Sequence, residues 1–292
     1  MATWPAAARL IIQEHSFVSP DGRASANQVS LAADADIPGL QRLTAAVHAQ
    51  GVPILAQISH AGSAAHRAIT GQEVISASAV PNPSRAASVH GQPEFPREMT
   101  QGDIQCIIQA FVDAAARAQQ AGYDGVEIHS AHGYLLDQFY SPLTNRRTDD
   151  YTGRTLEGRT RLQVEIIQAI RRRLGKDFVL SLRLGGSDYM DGGAVCAEVG
   201  QAAKLFEAAG LDMLSLSGGM SFFFRPGHTE AGYFAELAEA AKTGTTLPVM
   251  LTGGIADGAE AETFLEKGQA DLIGIGRAAL RDHQIYQKIL SM

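Results

Sequence analysis

Cysteine is scarce: only Cys106 and Cys196 occur in 292 residues, far apart and in no CxxC pair. That usage argues against a zinc finger, an iron–sulfur cluster and a disulfide framework, and leaves both thiols as ordinary small apolar residues on helices. Positive charge is not in excess either. Twenty-four Lys and Arg stand against 31 Asp and Glu, a net charge of -7, which gives no long-range attraction for phosphate backbones or anionic membranes and excludes nucleic acid as the expected partner. No stretch reaches the ~20 apolar residues that span a bilayer, and the opening MATWPAAARLII lacks the apolar core and cleavage site of a signal peptide. The expectation is a soluble cytoplasmic protein with no membrane partner.

What the chain does have is 45% hydrophobic residues, enough at this length for one α/β domain spanning 1–292. Seven short β-rich runs stand out: Leu10 to Gln13, Ile54 to Ser59, Val126 to His129, Val179 to Leu184, Met213 to Ser217, Val249 to Thr252 and Leu272 to Ile275. Amphipathic patterns separate most of them. The clearest follows Thr100, where Thr-x-x-Asp103 can cap a helix whose Ile104, Ile107, Ile108 and Phe111 share one face. Gly51, Gly122, Gly175, Gly210 and Gly268 each close a helical pattern shortly before a strand, as glycine does when a helix ends in the left-handed conformation. Repeated helix, glycine, strand units imply parallel strands with helical crossovers. Polar loops after the strands, and no early glycine-rich dinucleotide turn, favour a closed TIM-type (β/α)8 barrel over an open sheet. Gly274-Ile-Gly276-Arg-Ala-Ala279 resembles the dinucleotide fingerprint but lies too near Met292 for the second strand and acidic residue which that motif needs. It reads instead as a last strand feeding a phosphate-binding turn.

Two long segments follow strand ends, where a barrel builds its active site: His60 to Met99 and Ser130 to Gly153. The run VEIHSAHGY, residues 126–134, places His129, His132 and Tyr134 together at the barrel mouth. Two imidazole N–H groups can grip one carbonyl oxygen and a nearby phenol can deliver a proton. A zinc pair and two hydrogen-bonded structural histidines are the rival readings; no third metal ligand is identifiable, so no metal is expected. Gln57, near a strand end, can donate and accept at once, which suits the edge of a flavin pyrimidine ring; a core amide is the alternative. Arg183 puts a permanent charge on a strand that should be buried, and its partner is either a flavin or a barrel carboxylate. Gly253 and Gly254 after one strand, and Gly276 with Arg277 after the next, supply the backbone N–H groups and guanidinium of a phosphate cradle.

The segments LIIQEHSFVSPDGR, QISHAG, VEIHSAHGYLLDQFYSPLTNRRTDDYTG, SLRL, LTGGI and ADLIGIGRAAL are similar, in order and spacing, to those of the old yellow enzyme family of ene-reductases, from about Leu10 to near Leu290. The resemblance implies a tightly bound FMN that takes hydride from NAD(P)H and passes it to the β-carbon of an activated alkene. It implies that His129 and His132 hold the carbonyl oxygen of a small-molecule enone and that Tyr134 protonates the α-carbon. Gln57 and Arg183 would contact the isoalloxazine, while Gly253, Gly254, Gly276 and Arg277 would hold the phosphate.

The chain departs from the family pattern in three places. Family members carry a first strand and helix ahead of the strand matched by Leu10 to Gln13, and only nine residues precede that match here. The expectation is a barrel without its first strand, N-terminally truncated relative to the family, with open edges flanking the gap. A mis-assigned start, a real truncation, and pairing of the edge by another element or by a second subunit in a homo-oligomer all account for it. His15 stands where the family has a small residue beside the flavin, and YTGR at 151–154 replaces a double glycine. These departures keep a second reading open: a non-catalytic barrel remnant that binds flavin weakly and serves as an interaction protein.

Overall fold

The computed structural model describes residues 8–282 and 284–290. Seven parallel strands form one curled sheet in the order β1 (Ile11–Phe17), β2 (Ile54–Ser59), β5 (Gly125–Ser130), β6 (Val179–Ser187), β7 (Met213–Gly218), β8 (Val249–Leu251) and β9 (Leu272–Ile273). Between them run α1 (Ile37–His48), α3 (Gln101–Gln120), α5 (Leu156–Leu174), α6 (Val199–Ala209), α7 (Ala235–Lys242) and α8 (Gly258–Glu266), with α9 (Arg277–Arg281) and α10 (Ile285–Leu290) after the last strand. The segment after β2 holds α2 (Arg67–Thr70) and a small parallel pair, β3 (Ile75–Ser76) with β4 (Arg97–Glu98). The segment after β5 holds α4 (Leu135–Tyr140), all six of whose residues are buried. All seven strands anticipated from the residues are present, and the barrel architecture with one strand missing is the one found: among the described residues nothing pairs β9 to β1.

Alternation along each strand sorts the side chains. Ile54, Ala56 and Ile58, Val126 and Ile128, Leu180 and Leu182, and Leu214 and Leu216 point outward into the main core under the helices. Leu55, Met213 and Met250 turn the other way and form a separate cluster with Leu10 and Ile12, the apolar floor of the barrel. Above that floor the inward positions become polar. Glu127 pairs with Gln57 and Ser181, His129 with Arg183, and Arg183 with Ser215. Leu272, opposite in direction to core-packed Ile273, is 36% exposed at the open edge.

Helix α3 shows how local sequence sets the frame. Thr100 Oγ1 accepts from the Asp103 N–H at 3.1 Å while the Asp103 carboxylate accepts from the Thr100 N–H at 2.7 Å, a reciprocal cap. Ile104, Ile107 and Phe111 are buried, with Ile108 packed at the core's margin. Gly122 ends the run at φ 85°, a conformation that costs a residue with a Cβ. Thr100→Ala is expected to lower stability by about 1 kcal/mol. A thermal melt with an unchanged midpoint would show that packing alone holds this helix end.

Candidate active site at the barrel mouth

His129 is the penultimate residue of β5, and the chain then turns sharply through His132 at φ 63° and Gly133 at φ 75° before Tyr134 caps α4. A left-handed histidine is uncommon and persists only where its surroundings hold it. They do so here: His132 N–H donates to Gly218 O at 3.2 Å, Ser84 Oγ donates to His132 O at 3.2 Å, and Gly133 N–H donates to the buried Asp137 carboxylate at 2.7 Å. The turn brings the three rings together. The His129 ring centroid lies 4.9 Å from that of His132 and 5.2 Å from that of Tyr134, both edge-to-face.

Burial sets the protonation of all three. Desolvation, with the nearby charge of Arg183 adding to it, pushes both imidazoles well below their ordinary value, so they are neutral. The same desolvation pushes the Tyr134 phenol up to about 12, so it keeps its proton. Ser217 Oγ lies 2.7 Å from His132 Nε2 and accepts from Arg183 Nη2 at 3.3 Å. Ser217 thus ties the His132 ring to Arg183, and its second lone pair and its hydrogen suit either neutral tautomer of His132.

Below this layer Gln57 Nε2 donates to Glu127 at 2.7 Å and Ser181 Oγ donates to the same carboxylate at 3.2 Å. Glu127 is fully buried, and its attraction to Arg183 offsets part of the burial that pushes its pKa up. A barrel carboxylate therefore attracts Arg183 without a direct ion pair to it, and Gln57 is engaged by the same carboxylate. Arg183 Nε and His129 Nδ1 are buried with no hydrogen-bond partner.

The anticipated phosphate cradle is built differently from the sequence reading. Gly253 and Gly254 have positive φ, 117° and 74°, and a Cβ on either would come 3.0 Å from the Tyr233 ring, so both glycines also make room for that ring. Arg277 Nη2 donates to Tyr233 Oη at 2.7 Å, and the guanidinium lies 5.7 Å from the rings of Phe223 and Phe224. Gly276 is open, with nothing within 4 Å of where a Cβ would stand. The run Phe222–Phe224 connects the two halves of the mouth, its first two rings lying 5.5 and 6.0 Å from His132. Glu127, Ser217, Tyr233 and these phenylalanines escaped sequence reasoning; Glu127 alone carried a signal, a charge two residues before His129 on a buried strand. Among the described residues no group of three or more His, Cys, Asp or Glu could hold a metal ion, and no helix is long and apolar enough to cross a membrane.

The matching family model, NADH:flavin oxidoreductase / NADH oxidase, covers residues 5–291. The chain belongs to this family. It is 39% identical over 279 residues to an NADH oxidase of Thermoanaerobacter brockii, covering 94% of this chain but 42% of that protein. It is 36% identical over 275 residues to an NADPH dehydrogenase of Geobacillus thermodenitrificans, covering 94% of this chain and 76% of that one. Among solved structures, the old yellow enzyme homologue from Zymomonas mobilis superimposes with a TM-score of 0.85 at 25% identity, covering 98% of this chain and 81% of that one. Old yellow enzyme membership, first suggested by the segment around VEIHSAHGY, is thus established, in a family of NADH:flavin oxidoreductases. The residues present suit a flavin: an unpartnered buried guanidinium N–H beside the mouth, an open glycine at 276, and neutral donors between them.

Proposed function

We propose that the chain is a single FMN-binding barrel domain of a cytoplasmic oxidoreductase that moves hydride from NAD(P)H, through FMN, to the activated C=C bond of a small α,β-unsaturated carbonyl compound. The observation that carries this reading is the packing of a neutral imidazole, His132, and a protonated phenol, Tyr134, around the neutral His129 ring at 4.9 and 5.2 Å.

When bound, FMN supplies the hydride that reaches the β-carbon. The protein supplies the rest. His132, its ring held by Ser217, and His129 would donate to the carbonyl oxygen, where negative charge develops. The Tyr134 phenol gives its proton to the α-carbon, completing addition of one hydride and one proton across the double bond. Gln57 and Arg183 would hold the isoalloxazine, Arg183 through the N–H that has no partner in the protein. Gly253, Gly254, Gly276 and Arg277 would hold the phosphate, with Arg277 giving up its Tyr233 contact for the anion.

A second reading, a barrel that binds flavin weakly and acts as an interaction protein, is favoured by Arg277 being engaged by Tyr233 and stacked on Phe223 and Phe224. Titration with FMN separates the two. The expected result is stoichiometric uptake with a shifted flavin spectrum that bleaches on adding NADH or NADPH without oxygen. A protein that stays colourless after incubation with excess FMN overturns the enzymatic reading.

A further inference from the structure

His15 faces the mouth and has no part in the reaction proposed above. On β1, Gln13 pairs with Ala56 while Ser16 pairs with Ile58, so one extra residue is accommodated around Glu14 and His15. A bulge of this kind breaks the strand's alternation and re-aims a side chain. Here Glu14 is exposed, and the His15 ring stands 5.1 Å from Tyr134 and 5.7 Å from His129.

The proton on this imidazole can be placed. Gln28 Oε1 accepts from the Ala24 N–H at 2.7 Å, which fixes which end of the amide is nitrogen. That nitrogen reaches His15 O at 3.0 Å and His15 Nδ1 at 2.9 Å. An Nδ1 that accepts has no hydrogen of its own. Burial lowers the ring's pKa to about 4, so the neutral form carries its proton on Nε2. Nε2 has no hydrogen-bond partner among the described residues. Gln28 thus holds an oriented, uncharged donor beside the phenol.

The geometry points to His15 as a specificity-determining residue: its Nε2–H is a third donor in the pocket, selecting unsaturated carbonyl compounds that carry a second carbonyl oxygen over those with one. This rests on the enone reading of the site. His129 and His132 serve the first oxygen, and a ligand with no other acceptor would displace water from the His15 N–H without replacing its hydrogen bond. A second carbonyl satisfies it. Discrimination of this type grows when a site's own polar group would otherwise go unpaired.

The test is an NMR titration of the FMN-loaded, oxidised protein with cyclohexanone and cyclohexane-1,4-dione, saturated so that neither is reduced. The wild type is expected to bind the dione about tenfold more tightly, or about 1.4 kcal/mol. His15→Phe, which keeps a flat ring without the N–H, is expected to bring the two affinities together, and His15→Gln to restore part of the preference. A preference that survives His15→Phe, or is missing from the wild type, overturns the role of His15 while leaving the enone site standing. Cyclohexanone that fails to bind the FMN-loaded wild type overturns the enone reading itself, and the role of His15 with it.

Discussion

Tyr134→Phe is expected to slow reduction of an enone by about 10²–10⁴-fold, the range of a positioned general acid, while leaving reduction of bound flavin by NAD(P)H essentially unchanged. The asymmetry follows from where the phenol stands. Its ring packs against His129 and His15 at 5.2 and 5.1 Å, contacts that phenylalanine keeps. Its hydroxyl makes no hydrogen bond to the described protein, so removing it orphans no partner. What is lost is a proton held by a group whose pKa burial has raised to about 12, and only the step that consumes a proton at carbon depends on it. Rapid-mixing measurements of the two half-reactions check this separately. Equal loss in both would mean that the substitution disturbs the mouth as a whole and that Tyr134 is not the donor.

The parts legible in the residues were those with a short-range cause. Five of the seven parallel strands announce themselves as an apolar run after a helix-ending glycine, and Gly122 and Gly210 do sit at positive φ before their strands. The convergence of His129, His132 and Tyr134 was legible because they lie within six residues of one strand end. Helix α4 was hidden for the opposite reason: Leu135–Tyr140 is buried on every side, so it shows no amphipathic period. Strand β1 runs on to Phe17, past the expected end at Gln13, because the bulge at Glu14 and His15 interrupts the alternation that marks a strand. The engagement of Arg277 by Tyr233 and by Phe223 and Phe224 joins positions more than forty residues apart in different loops. No local pattern encodes such a contact. The glycines at 253 and 254 were read as part of a phosphate cradle, and the Tyr233 ring they also accommodate was not visible.

The same limit applied to Arg183, whose need for a partner was evident while the partner's identity was not, and here the second large effect is expected. Glu127→Gln should destabilise the protein by about 1–3 kcal/mol, because it weakens the acceptor of two buried hydrogen bonds and removes the charge that attracts Arg183. The glutamine keeps the shape and can still meet Gln57 and Ser181, which lie 2.7 and 3.2 Å from the carboxylate. It cannot offset the guanidinium. Burial pushes Arg183 below its ordinary value, yet an arginine starts so far above neutral pH that it stays charged. Urea unfolding of Glu127→Gln, Arg183→Met and the double variant measures the coupling, and the double variant should recover most of what Glu127→Gln loses, since it removes the stranded charge. A cost under about 1 kcal/mol for Glu127→Gln would show that water or another group already compensates Arg183. The pairing also bears on the redox site, because Glu127 balances the guanidinium from below while Nε, buried and without a partner, is left to the mouth. One arginine can thus be stable in the barrel before a cofactor arrives and still have a donor to offer it.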